Sequence, residues 1–491
     1  MAVTSFEEVQ ALLPQALEAN RPGSAVDHVV VALPSYSLGE SLLSHYADRI
    51  PALEHRYLVS QLVLHRLPRC HVVFVSSRLP DAEVVDYYAS LRTNGDTKSR
   101  FHALETGGDT SRPVAAVLLE QPEMLQRIRD LIGNRPALIE PWNVTEAEVE
   151  VALALGVPIN GTDPALRNLG FKSEGRRLFR SAGVPIPVGV EDVRSASDVL
   201  SAIARIRRIQ PGTNAVIVKH DDSGSGDGNV TLDLREPDIA ERLRALPDWY
   251  TRDLESGGVV EERVTGTQFT SPSAQIDIVP GGNVVVLSTH DQVLGGPDNQ
   301  VYMGCRFPAD PAYAADLARY ATAVGHQLAE RGVIGRVAVD FAATRDWSGR
   351  WSLYALEVNL RKGGTTHPYT TLRSLLPGRY DAEAARWVVH EGDMTRVYSA
   401  TDNLVDAAWT GLPPAEAIRA VADAGLQFDE RTGTGVVLHM LPGLAIDGRL
   451  GLTAIGRDPA HADELHRATE RAIDAAAKHS TSRPEGQYGE R

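Results

Sequence analysis

The sequence predicts a mixed α/β fold built of several domains, and three observations support this. The chain has 491 residues, too many for one hydrophobic core, so about two to four domains are expected. Strand-like runs and helical stretches alternate through its first third. Hydrophobic residues make up 43% and charged residues 23%, the balance of an ordinary globular protein.

The compact β-branched runs DHVVVALPSY, CHVVFVSS, FHALET and PALIEPWNV come first. Residues 39–67 and 120–133 between them carry helical spacing. This is the pattern of an open, mostly parallel sheet. GVPINGTDPALRNLG marks a boundary near residue 165. A basic helix over 171–180 follows, closed by Gly183 and a Pro-punctuated linker.

A second α/β unit opens with NAVIVKHD, then a Gly/Ser loop, then VTLDL. GGVVEERVTG and residues 267–307 are strand-rich, 311–331 helical, and 333–359 a hairpin. A third segment starts near residue 380. PPAEAIRAVADAG is a helix with Pro at its start and Gly at its end. GTGVVLHMLPGLAIDGRLGLTAIG is expected to form two strands around an Asp447-Gly448 turn. Residues 459–478 form a polar helix, and 479–491 a disordered tail.

Composition excludes several functions. The net charge of −15 is spread along the chain, which argues against nucleic acid or an anionic membrane as a general partner. A local basic pocket for an anion remains open. Cys70 and Cys305 are far apart and make neither a zinc motif nor a disulfide framework. The N-terminus is acidic and amphipathic, without a cationic leader. No apolar run reaches the ~18 residues that span a bilayer. A cytoplasmic protein is expected. Its oligomeric state is not legible, a homodimer being one option.

The chemistry concentrates in LEVNLRKGGTTHP, residues 356–368. On a strand, Glu357, Asn359 and Arg361 share one face while Val358 and Leu360 take the other. An acid, an amide and a guanidinium in a row suit a hard divalent cation and phosphate oxygens. If Ser348-Gly349 are the two loop residues of the hairpin, Asp340 lies opposite Glu357, Ala338 opposite Asn359 and Arg336 opposite Arg361. Two carboxylates that close repel, and a cation between them removes the conflict. A salt-bridged surface hairpin is the bland alternative.

Lys219 ends an apolar run and precedes Ser223, Gly224, Ser225, Gly226, Asp227 and Gly228. A lysine beside many backbone N–H groups makes an anion cradle. It is not a Walker loop, since no Gly-Lys-Ser/Thr opens a helix. Lys172 heads the basic helix. Glu261, Glu262 and Val264 lie on a short connection able to offer backbone groups to an adenine edge. His290, Asp291, Gln292 and Arg306 are polar residues in a strand-and-turn context, for which structural hydrogen bonding is the default.

The order of these features resembles the ATP-grasp carboxylate–amine ligases over roughly residues 150–375. SPSAQIDIVPGG, STHDQVLGG, GCRFPAD and EVNLRKGGTTHP are similar to the branch of the pheganomycin-type peptide ligases. The resemblance implies an ATP-grasp fold: a pre-ATP-grasp α/β domain (1–165), an ATP-grasp domain (166–380) and a small C-terminal α+β domain (381–478). It implies that Lys172 and Lys219 hold ATP phosphates under a lid at 223–228, and that Glu261 and Val264 meet adenine through backbone atoms. Gln268 stands where many relatives place a ribose-binding glutamate. Asp340, Glu357 and Asn359 would ligate Mg²⁺ or Mn²⁺, and Arg361, with Lys219 and Arg336, would steady the transferred phosphoryl group. His290, Asp291, Arg306, Gly364 and His367 are the candidates for contacts to an amino-acid or short-peptide substrate. The implied reaction is ADP-forming amide synthesis through an acyl-phosphate, in secondary metabolism, with the bond either an α-peptide or a γ-glutamyl one. A hydroxyl-directed phosphotransferase and a non-catalytic nucleotide-binding protein are the alternatives.

Overall fold

The computed structural model describes residues 5–37, 43, 46–93, 97–223, 228–296, 301–390 and 394–481. Gly224, Ser225 and Gly226 of the expected lid lie outside the described residues. Among those described there are three sheets.

The first sheet contains β1 (His28–Leu33), β2 (Cys70–Ser76), β3 (Phe101–Glu105) and β4 (Ala137–Pro141) in the order β3-β2-β1-β4. All its pairings are parallel. Val29, Val31, Val73 and Ile139 pack on one face of the sheet, Val30, Ala32, Val72 and Phe74 on the other. Burial on both faces is why these strands are nearly continuous apolar runs.

A smaller sheet follows, with β5 (Gly189–Val190), β6 (Ala215–His220), β7 (Val230–Asp233) and β8 (Gly258–Glu262) in the order β5-β8-β6-β7. The helix Lys172–Ser181 precedes it. The residues between Glu262 and Gln268 carry the chain into the third sheet.

That sheet has ten strands. They are β9 (Gln268–Ile278), β10 (Val284–Gly295), β11 (Val301–Phe307), β12 (Gly335–Arg345), β13 (Trp351–Asn359), β14 (Gly378–Asp381), β15 (Arg386–Val389), β16 (Thr395–Val405), β17 (Gly435–His439) and β18 (Arg449–Gly456). On β9 and β12, Ala274, Ile276, Val337, Val339 and Phe341 pack with Leu317, Ala321 and Val324 of the helix Ala314–Ala329. Each of the larger side chains buried there, Val, Ile, Leu or Phe, contributes about 1.5–3 kcal/mol. The alternate residues Ser273, Gln275, Asp277, Arg336 and Asp340 therefore share the opposite face.

Two details differ from expectation, and a third shows how the C-terminal strands join this sheet. The hairpin between β12 and β13 has a five-residue connection, 346–350, in which the Asp346 carboxylate accepts from the N–H groups of Ser348 and Arg350. Next, the C-terminal strands open no new sheet: β16 pairs with β11 and β18 with β16, and residue 380 falls inside β14. Finally, Asp447-Gly448 is no hairpin turn. Residues Gly443–Asp447 are helical, and Gly448 caps them in the left-handed conformation (φ 71°), where glycine has no steric penalty. The last helix runs over Pro459–Thr481, and residues 482–491 lie outside the described set. Among the described residues no helix is long and apolar enough to cross a membrane.

Candidate active site

The polar face of β12 and β13 meets the start of the helix Lys172–Ser181, and most of the expected site converges there. Asp340 pairs with Glu357 and Ala338 with Asn359. The five-residue connection alone would have put Asp340 opposite Leu356. A bulge between Asp340 and Phe341, which leaves Leu356 as the extra residue, restores the expected pairing.

Asn359 Nδ2 donates to Asp340 Oδ2 at 3.0 Å, and Gln292 Nε2 to Oδ1 at 2.9 Å. The Ser273 hydroxyl also bonds Asp340. Burial, and then the neighbouring charge of Glu357, push the Asp340 carboxyl up to about 6. Lys172 Nζ donates to Glu357 Oε1 at 3.0 Å and to the Ser223 carbonyl at 2.7 Å, with only 6% of its side chain exposed. The helix end that carries Lys172 is held by Asp221. Its carbonyl accepts from the Lys172 N–H, and its carboxylate from the Ser173 N–H at 2.8 Å.

Lys219 is buried with its Nζ 2.6 Å from Glu261 Oε2, and Arg176 pairs with the other oxygen. Burial would raise the Glu261 carboxyl; Lys219 and Arg176 outweigh it and hold the carboxyl down. The side chain of Glu261 therefore orients a lysine, and its backbone lies within the β8 ladders to β5 and β6. Glu262 is likewise engaged: its N–H donates to the Val188 carbonyl, and its carboxylate accepts from the Val188 N–H. Val264 lies on the segment between the two sheets. Gln268 is exposed at the far end of β9, its amide oxygen accepting from Arg345 at 3.3 Å.

Arg361 lies past the end of β13. Its guanidinium stacks over Trp142 at 4.7 Å and feels both Glu357 and Asp340. Burial lowers its pKa. The expected pairing with Arg336 does not occur, because the ladder stops at Asn359. Arg336 instead donates to Asp277 Oδ1 at 2.6 Å and to Gln275 at 3.3 Å.

The candidate substrate residues scatter. His290 is fully buried, with Nε2 2.6 Å from the Tyr398 hydroxyl and its ring against Phe307. Burial pushes it down to about 3, so it is a neutral core residue. Asp291 accepts from the Tyr313 hydroxyl and the Asp310 N–H, tying β10 to the loop before the next helix. Arg306 is exposed and pairs with Asp463 of the last helix. Asp291 and Arg306 lie on the sheet face opposite Asp340, while His290 shares the face of Ser273 and Asp340 but is engaged by Tyr398. Gly364 is where a Cβ would enter the Tyr302 ring. His367 is buried, its Nε2 2.8 Å from Asp402 Oδ1 but off the line of a hydrogen bond. It lines a cavity of about 240 Å³ beside Trp142, Lys362 and Gly363. The residue that belongs at the centre is Gln292. Its alternation with Asp291 was the available signal, but which strand face met the site was not readable.

Residues 242–363 match the family described as "IQCH-like, ATP-grasp", and residues 416–469 the "PGM1 C-terminal domain". L-propargylglycine–L-glutamate ligase of Streptantibioticus cattleyicolor is 30% identical over 451 residues, covering 87% of this chain and 92% of that one. IQ motif-containing protein H of Danio rerio is 24% identical over 339 residues, 56% of this chain and 32% of that one. A biotin carboxylase–β,γ-ATP complex from Campylobacter jejuni superposes with a TM-score of 0.55 at 14% identity, over 92% of this chain and 95% of that one. N5-carboxyaminoimidazole ribonucleotide synthetase from Thermus thermophilus does so at 0.51 and 15%, over 90% and 98%. These two likenesses concern the fold alone. The chain belongs to the ATP-grasp carboxylate–amine ligases, in the pheganomycin-type branch. It is an ADP-forming ligase that joins a carboxylate to an amine.

Proposed function

We propose that Asp340, Glu357 and Asn359 form the metal-phosphate end of the ATP site, and that the substrates are an amino acid and an amine-bearing amino acid or peptide, ligated in secondary metabolism. The convergence of Asp340, Glu357 and Lys172 carries this reading. Two carboxylates and an amide oxygen suit Mg²⁺ or Mn²⁺, which takes one or two carboxylates and completes its shell with phosphate oxygens and water. The raised Asp340 carboxyl fits too, since a cation would offset the burial, and then the Glu357 repulsion, that raise it. Among the described residues no three His, Cys, Asp or Glu side chains cluster, so phosphate oxygens and water would complete the shell. When bound, the cation neutralises charge on the phosphoryl oxygens.

The chain's own groups do the rest. Lys172 and Lys219 supply positive charge to ATP phosphates. Backbone pairing occupies Glu261 and Glu262 and the N–H groups of Arg263 and Thr267, so the adenine edge falls to residues 264–266, Val264 included. A substrate carboxylate oxygen attacks the γ-phosphorus. The new O–P bond forms as the bond to the β-phosphate oxygen breaks, giving an acyl-phosphate and ADP. Arg361, fixed over Trp142, faces the developing charge. The amine then attacks the acyl carbon, loses a proton and expels phosphate. Exclusion of water protects the acyl-phosphate. The two buried, unpaired cysteines suit a reducing cytoplasm.

The test is a reaction of the enzyme, ATP and Mg²⁺ with pooled amino acids, read by mass spectrometry. A new amide formed with stoichiometric ADP is expected. AMP as product would overturn the acyl-phosphate route, and a stable phosphorylated hydroxyl would overturn ligation.

A further inference from the structure

The cavity bordered by Trp142, on which Arg361 stacks, holds an excess of cations. Its lining follows β1 from Tyr36, just past the strand's end, back to Val30, and continues onto Leu17, Val63, Leu67 and Val72. Five cationic side chains border it: Arg56, Arg66, Arg336, Lys362 and Arg373. Three are neutralised. Arg56 pairs with Asp402 at 2.8 Å, Arg336 with Asp277 at 2.6 Å, and Lys362 with Glu140. Arg66 and Arg373 have no ion pair among the described residues. Arg373 rests over the Tyr369 ring at 5.7 Å, and Asp277, an acid on which its charge acts, is already bonded to Arg336.

These two arginines come from the last turns of two helices that pack together, Val59–Arg66 and Thr366–Leu375. Arg66 Nε is buried without a hydrogen-bond partner. Burial and the charge of Arg373 pull the Arg66 guanidinium down to about 9. Two like charges facing one partly apolar cavity are unfavourable unless an anion joins them. Paired guanidinium forks match the planar oxygens of a carboxylate.

We propose that Arg66 and Arg373 bind the carboxylate of the cavity's substrate that is not activated, so that this substrate keeps a free carboxylate through the reaction. The proposal rests on the ligase reading and narrows it. Either the acyl donor is a dicarboxylic amino acid whose second carboxylate sits here, or the amine acceptor is an amino acid held by its own carboxylate.

The test uses the full chain with Arg66→Met and Arg373→Met, and a substrate pair found with the wild type. Each variant is expected to raise KM for one substrate about 10–100-fold, the range for losing a charged hydrogen bond, while KM for ATP stays within about twofold of the wild type. In the wild type, the carboxamide of that substrate's non-activated carboxylate should lose a similar factor. Which partner loses it, donor or acceptor, separates the two sources. Full use of both carboxamides by the wild type overturns the proposal, even if the variants fail to fold. So does inorganic phosphate that competes with neither substrate's carboxylate but binds at these arginines. If no amino-acid pair is ligated, the amino-acid substrate reading fails by itself; calorimetry with glutarate then tests the site alone, binding to the wild type and about tenfold weaker binding to both variants being expected. Equal glutarate binding by all three proteins overturns it.

Discussion

Glu357 stands between Lys172 at 3.0 Å and the strand partner Asp340. Glu357→Gln keeps the size of the side chain and removes the charge that a cation needs. We expect turnover to fall at least about 100-fold with the circular dichroism spectrum unchanged; near-normal ADP production would mean the cation lies elsewhere. Gln292 touches Asp340 but is not itself an acid. Gln292→Ala should raise the Mg²⁺ concentration for half-maximal rate about 10–100-fold, as the loss of a ligand's orienting partner does, and a Mg²⁺ titration of initial rates reads this. His290 gives a pH prediction. Its folded pKa is pushed below the ordinary 6.5 to about 3, so its contribution to stability is full above the unfolded value and is lost as pH falls through that window. His290→Phe should flatten the urea stability profile across this range, and cost about 1 kcal/mol at pH 7.5 by stranding the Tyr398 hydroxyl. An unchanged slope would mean the wild-type ring is not buried neutral. The acid-amide-guanidinium row was legible because strand alternation places residues by parity alone. His290 and Gln292 share that parity, so separating a core histidine from a site glutamine needed the tertiary neighbours Tyr398 and Asp340.

At the scale of elements, the hairpin shows how a correct pairing can arise from a different construction. A two-residue turn puts Asp340 opposite Glu357, and so does a five-residue connection followed by one extra residue at Leu356. Asp346 builds that connection by accepting from Ser348 and Arg350. Leu356 is an ordinary apolar residue, and nothing in its type announces a bulge. The helix Lys172–Ser181 was legible from its basic pattern and Gly183, but its anchor was not, since Asp221 is distant in sequence. Asp221→Ala removes the acceptor for the Ser173 N–H. The expected cost is about 1 kcal/mol of stability, with KM for ATP raised as Lys172 loses its fixed position. Thermal unfolding and an ATP titration check the two parts; loss of stability with unchanged KM would show that Lys172 does not touch the nucleotide.

The whole molecule is joined where its sheets meet. The segment after β13 docks on the end of β4, with the Lys362 N–H donating to the Trp142 carbonyl and the Lys362 ammonium paired with Glu140. Asp402 on β16 accepts from Arg56 of the N-terminal part and lies beside His367. Burial would raise its carboxyl, but His367 and Arg56 hold it well below the usual range. Asp402→Ala leaves Arg56 buried without an acid and should cost about 3–5 kcal/mol, measured by denaturant unfolding; a loss under about 1 kcal/mol would mean the contact is solvated. Joins of this kind are long-range, and so is the pairing of β16 with β11. Local pattern therefore showed the C-terminal strands without showing that they extend the central sheet. The central claim is that one cation-phosphate centre at Asp340 and Glu357 drives amide synthesis. It is tested most directly by measuring ADP and amide together, for the wild type and Glu357→Gln, with and without each substrate. The account predicts equal ADP and amide from the wild type only when carboxylate and amine are both present, and neither from the variant. Amide formed with AMP, or by the variant at the wild-type rate, would contradict it.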